Sequence, residues 1–220
     1  MRAALSICIL LITIPTIVAQ DATQKPDLKK DFVLISSGFS KGASRIGTWQ
    51  IENDSLIQRD SSALYAIYSI PLAQEKNSYL LSFSMKAQGS GWIGGGLHIF
   101  SKSSSLQKSY GHGASFLIWL TRDSSFYRNN STYLQLYQSY DDVTMIQLAS
   151  ISIAEDISTD LAIDVFYNRD LEILSVSING DLKLFFPIKN FTTEGTEVAF
   201  RALGGPVVFG KFEVYQAMKN

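Results

Sequence analysis

The chain has 220 residues, with 19 Lys plus Arg against 20 Asp plus Glu, a formal net charge of −1 and one cysteine, Cys8. No basic cluster is longer than Lys29-Lys30, so the electrostatic footprint of a nucleic-acid-binding protein is missing. A single cysteine excludes a disulfide framework and thiolate metal or redox chemistry.

Residues 1–19 have the pattern of a secretory signal peptide: Arg2, an apolar run over 5–18, and Ile17-Val18-Ala19 as a cleavage site. Ser6, Thr13, Pro15 and Thr16 interrupt the run, which falls short of the roughly 20 apolar residues of a spanning helix. Cleavage and export are therefore expected, leaving a mature chain with no membrane span, secreted to the exterior or the periplasm. Cys8 lacks the context of a lipoprotein cleavage point. Residues 20–30 carry charge and Pro26 and read as a flexible tether. The remainder, 31–217, suits one domain of β-sandwich size.

Residues 31–37 open the domain with an apolar strand, and 36–47 is a Ser- and Gly-rich loop. Residues 47–51 and 55–59, joined at Glu52-Asn53-Asp54, read as a hairpin. The next expected pair is 63–70 with 79–85, where Leu81, Phe83 and Met85 alternate with Ser82, Ser84 and Lys86. In the strand 92–100, Gly94-Gly95-Gly96 marks a bulge or a close approach by another strand. Residues 114–120 are apolar on both faces and belong in the middle of a sheet. After a polar loop over 121–130, residues 132–140 alternate, with Tyr133, Gln135 and Tyr137 opposite Leu134 and Leu136. Strands follow over 143–153 and 159–167.

Residues 171–186 read LEILSVSINGDLKLFF, and Asn179-Gly180 is the pair best suited to a type I′ turn. On its first arm Leu174, Val176 and Ile178 make a dry face and Ile173, Ser175 and Ser177 a wetter one. Strands over 196–203 and 207–215, around Gly204-Gly205-Pro206, finish the sheet. No stretch holds helical periodicity for three turns, and the regular spacing of short strands is that of an all-β sandwich or barrel.

Three places resemble the concanavalin A-like lectin/glucanase (laminin G-like) superfamily. They are Gly47-Thr48-Trp49-Gln50-Ile51 with Ser55-Leu56, the aromatic strand over 116–121, and LSVSING opening into Asp181-Leu182-Lys183. The resemblance implies a two-sheet antiparallel jelly-roll sandwich with one concave sheet, and carbohydrate bound on that concave face or on rim loops. It does not choose among sugar-binding modules, glycan hydrolases and adhesion domains.

Hydrolases of that superfamily carry clustered carboxylates on one strand, because glycoside cleavage needs two carboxyl groups facing one bond. No such strand occurs. Glu155-Asp156 and Glu194 with Glu197 fall in apparent turns and read as solvated, and Asp164 has Ala162 and Phe166 as same-face neighbours. His98 and His112 have no second metal ligand at short spacing. A triad of His112, Asp123 and Ser115 rests on residue identity alone. Asp141-Asp142, Asp123, Asn129 and Asn130 are oxygen donors for calcium, although turn chemistry explains the same residues. The sequons at Asn53, Asn129, Asn130 and Asn190 need no functional cause.

Aromatic residues carry the stronger signal, because sugar rings stack their C–H faces on Trp and Tyr while amides and Arg take the hydroxyls. The expected ligand-binding set is Tyr133, Gln135, Tyr137 and Trp119, with Arg122 and Tyr127 in adjoining loops. The leading reading is an exported non-catalytic module that binds carbohydrate or a cell-surface glycan, with no catalytic residue and no metal or cofactor. The alternatives are a glycan-processing enzyme with an atypical site and an envelope or adhesion component with a protein partner.

Overall fold

Alternation of apolar and polar residues with period two dominates the chain, and β-strands are what such alternation can bury. The computed structural model describes residues 28–102, 110–123, 131–189 and 194–218. It contains fifteen strands and one turn of 3-10 helix, Leu28–Asp31. The strands are β1 (Phe32–Ser37), β2 (Ala43–Ile46), β3 (Trp49–Glu52), β4 (Ser55–Gln58), β5 (Ala66–Gln74), β6 (Ser78–Ala87), β7 (Trp92–Ser101) and β8 (Ser115–Asp123). They continue with β9 (Thr132–Ser139), β10 (Met145–Ile153), β11 (Leu161–Asn168), β12 (Ile173–Ile178), β13 (Asp181–Pro187), β14 (Gly195–Leu203) and β15 (Val207–Ala217). No helix among the described residues is long and apolar enough to cross a membrane.

One sheet has eight strands in the order β13-β12-β11-β6-β15-β4-β3, with β1 also paired to β15. The other has seven, in the order β10-β9-β8-β7-β14-β5-β2. Every pairing is antiparallel. This is a two-sheet jelly roll, as the sequence led one to expect.

The inner faces meet in one apolar core. Phe200 of β14 is its aromatic hub, with ring centroids 4.8 Å from Phe209, 5.0 Å from Phe212, 5.3 Å from Phe39 and 5.8 Å from Phe83. Phe209, Phe212 and Phe83 come from the eight-stranded sheet or its β15 bulge, so the hub ties the two layers together.

Local predictions held where they depended on neighbours in sequence. β3 and β4 form the expected hairpin. β12 and β13 form the other, with Asn179 at φ 52° and Gly180 at φ 79°, the two positive angles of a type I′ turn. That hairpin is an edge of its sheet. β8 is central, between β7 and β9.

Pairings between distant segments differ from the sequence reading. β5 and β6, expected to pair, lie in different sheets, as do β14 and β15 on either side of Gly204-Gly205-Pro206. A short turn can carry the chain across the sandwich as readily as back along one sheet, and period-two alternation is identical in both cases. β2 sits inside the stretch expected to be a loop. Gly94-Gly95-Gly96 is no bulge, since its register with β8 is continuous; it is the alternative, a close approach. The tether expected over 20–30 is described only at its last residues, where Lys29 Nζ lies 3.1 Å from Glu213 Oε2 and stacks on the Tyr215 ring.

Candidate functional site

Along β7, residues that face away from the core are Trp92, Gly94, Gly96 and His98, because their neighbours Ile93, Gly95, Leu97 and Ile99 point inward. Register then sets one transverse row across five strands: Gln135, Trp119, Gly96, Arg201 and Ile67. The glycine at the centre of that row puts nothing between an indole and a guanidinium. Gly94 completes the effect. A Cβ there would clash with Trp119 Cζ2 and lie 2.8 Å from the Leu120 carbonyl oxygen, so the absence of a side chain at Gly94 leaves room for the indole over β7.

The result is a shallow depression of about 30 Å³, open to solvent, on the outer face of the seven-stranded sheet. Trp119, Leu117, Leu203 and Arg201 line it, with Tyr137 and Met145 on the β9–β10 side and Tyr65, Tyr110 and Trp92 around it. Leu117, Trp119 and Leu203 form a small apolar cluster separate from the main core. Trp92 is 44% exposed, whereas Trp119 is only 5% exposed, so Trp92 and the tyrosines offer the more accessible ring surface. Tyr65 and Tyr110 meet edge to face at 5.8 Å.

The sequence-predicted residues divide. Trp119 and Tyr137 line the depression. Gln135, 4% exposed, lies underneath as a support: Tyr137 Oη donates to its Oε1 at 2.9 Å, and Oη is also 3.1 Å from Gln147 Oε1. Tyr133 is half-buried on the same strand face, one row farther along, outside the depression. Arg122 alternates to the other side of β8 and pairs with Asp156 Oδ1 at 3.3 Å and the Gly89 carbonyl at 3.2 Å. Tyr127, Asn129 and Asn130 lie outside the described residues. Arg201, Tyr65, Trp92 and Tyr110 were missed. They come from four distant segments with no shared motif, and only the sheet register brings them together.

Beneath this face runs a buried polar chain. Arg201 Nη1 donates to the Tyr110 carbonyl at 2.5 Å and to His98 Nε2 at 3.3 Å. His98 Nδ1 then donates to Ser115 Oγ at 2.9 Å, and Ser115 Oγ donates to the His112 carbonyl. Burial, followed by the charges of His112 and Arg201, pushes His98 well below its ordinary value of 6.5, so it is neutral here. His112 Nε2 lies 2.7 Å from Glu197 Oε1, and Glu197 also lies near Ser69 and Arg45. One expectation is corrected by this, and one reading set aside on the sequence stays so. Glu197 is no solvated turn residue but a strand residue, 4% exposed. The triad of His112, Asp123 and Ser115 does not assemble, because Ser115 bonds the ring of His98 and Asp123 sits at the opposite end of β8.

Asp141 accepts from the Val143 and Thr144 amides at 2.7 and 2.6 Å, the turn chemistry expected of it, and Asp142 accepts from Gly113 N. Among the described residues no group of three His, Cys, Asp or Glu is placed to hold a metal ion.

A larger hollow, about 600 Å³, crosses the outer face of the eight-stranded sheet beside Asp54, Asp160, Lys211 and Glu213. Its lining has Ser, Lys and carboxylates but no Trp or Tyr ring for a sugar to stack on. A hydrogen bond from Tyr215, ahead of the Lys29 charge, holds the Glu213 carboxyl below its ordinary range, the wrong direction for a glycosidic proton donor.

No protein-family model matches the chain, and no curated protein does. Solved structures do. The carbohydrate-binding module CBM66 from Bacillus subtilis matches at TM-score 0.62 and 10% identity, over 80% of this chain and 96% of its own. A Bacillus subtilis protein of unknown function with a galectin-like fold matches at TM-score 0.62 and 14% identity, over 87% and 99%. The potassium-bound carbohydrate recognition domain of Emp46p matches at TM-score 0.59 and 13% identity, over 81% and 90%. The fold these structures share with the chain is a two-sheet jelly-roll β-sandwich.

Proposed function

We infer that this chain is an exported, non-catalytic carbohydrate-binding module whose sugar site is the depression on the seven-stranded sheet. One observation carries the reading: that face gathers Trp92, Trp119, Tyr65, Tyr110 and Tyr137 with a guanidinium around a single hollow. Apolar ring faces beside a few fixed donors are what a pyranose presents a match for. The naming of two fold neighbours as a carbohydrate-binding module and a carbohydrate recognition domain adds support. Binding through rings and Arg201 requires no metal ion, so a chelator should leave affinity unchanged.

The test is a glycan array probed with the mature chain and with Trp92→Ala and Tyr137→Ala. Both variants should fold, since each removes a partly exposed ring, and both should lose at least tenfold in affinity. Silence of the parent protein across the array removes the proposal. Undiminished binding in both variants moves the site elsewhere.

A further inference from the structure

Arg201 is 2% exposed, yet no carboxylate pairs with it among the described residues. Glu197 shares its strand face, but four residues of strand separate them by about 13 Å, and Glu197 is engaged with His112. The undescribed internal stretches 103–109, 124–130 and 190–193 contain no Asp or Glu, and the remaining undescribed acids are Asp21 and Asp27 of the N-terminal segment. A guanidinium taken out of water without an anion carries a large desolvation penalty. Stacking over the Tyr65 ring, 4.5 Å from guanidinium carbon to centroid, offsets part of that penalty. Burial also pulls the Arg201 pKa down to about 10, which is the signature of a cation short of an anionic neighbour.

The donor inventory gives the shape of the missing partner. Both hydrogen bonds that Arg201 makes leave from Nη1. Nε and Nη2 remain, and these two form the side-on edge of the guanidinium, whose parallel N–H groups match the two oxygens of a carboxylate. His98 cannot answer the charge, because it is itself a neutral acceptor in the chain below. The guanidinium lines the same depression as Trp119 and Tyr137.

We propose that the depression takes a sugar bearing a carboxylate, held bidentate by Nε and Nη2 of Arg201 while its ring stacks on the surrounding aromatics. This deepens the carbohydrate-binding reading and rests on it. The ligand class is an acidic glycan of uronic or nonulosonic type.

The test uses the mature chain and matched ligands: oligogalacturonate, oligomannuronate and sialyllactose, each beside its carboxyl-methylated or carboxyl-reduced counterpart, by calorimetric titration. At least one acid should bind at least tenfold more tightly than its neutralised counterpart, and Trp92→Ala and Tyr137→Ala should weaken that binding. Comparing ligands on one protein avoids dependence on a buried variant. Arg201→Lys, checked for fold by circular dichroism, should erase the preference, because an ammonium lacks the fork. Equal affinity for acid and neutralised forms overturns this proposal and leaves a neutral-sugar module standing. Preference for a sulfated over a carboxylated glycan overturns it as well. Absence of binding to acidic and neutral glycans alike overturns it together with the carbohydrate-binding reading.

Discussion

Replacing Gly94 with Ala tests the geometry of the depression at its floor. The added methyl would clash with Trp119 Cζ2 and lie 2.8 Å from both Trp119 Cε2 and the Leu120 carbonyl oxygen. Carbon atoms pack at about 3.5–4.0 Å, so the indole must withdraw by roughly 1 Å, and the carbonyl, fixed in the β7–β8 ladder, cannot give way. The indole is nearly buried, with Leu117 and Leu203 packed beside it, so displacing it disturbs those contacts. Overpacking of this kind costs about 1–3 kcal/mol, which for a domain of this size lowers Tm by roughly 2–12 °C. Thermal unfolding by far-UV circular dichroism reads the cost, and near-UV dichroism together with glycan affinity reads the indole. Gly210→Ala is the control: its Cβ meets only the Ser84 and Ser55 hydroxyls, at 2.9 and 3.6 Å, and Ser84 can rotate. A Gly94→Ala protein with unchanged Tm and an unchanged near-UV spectrum would refute the stacking of Trp119 on β7.

Phe200→Ala removes the hub that joins the two sheets and should cost about 3–5 kcal/mol in urea unfolding; a loss below about 1 kcal/mol contradicts its role. Glu197→Ala leaves His112 Nε2 buried without its hydrogen-bond partner, with an expected loss of about 1–3 kcal/mol by the same measurement, and parental stability would mean that this pair is not formed. Stability should also fall on acidification. His98 has its ordinary value of 6.5 when unfolded and lies well below that when folded, so below pH 6.5 only the unfolded chain takes up the proton. The slope is about 1.4 kcal/mol per pH unit between that value and the folded one, and the contribution is complete above pH 6.5. Glu213, Asp156 and Glu155, also lowered on folding, add their own losses at lower pH. Urea midpoints at pH 7.0 and 5.5 check this, and His98→Gln should flatten the difference; a parent slope of zero refutes it.

Much of the fold was legible because the relevant signals are local. Alternation over 81–86 and 132–140 reports one solvated and one packed face whatever the partner strand is, and Asn179-Gly180 specifies its own turn. Two of the five aromatic residues around the depression were legible for the same reason, since Trp119 and Tyr137 are outward residues of strands that read clearly as strands.

Sheet membership was decided elsewhere. Whether β5 pairs with β6 or crosses the sandwich depends on which inner face each strand can bury against, a property of the assembled layers. The same holds for the role of single residues. Arg201 and Glu197 lie on one strand four positions apart, and nothing in the stretch 195–203 distinguishes a solvated acid from a buried one or a surface arginine from one set under aromatic rings. Amino-acid order determined a chain with a single cysteine and strands with one dry face. Only the tertiary structure placed a glycine between Trp119 and Arg201, because transverse register joins residues far apart in sequence and is set by long-range packing.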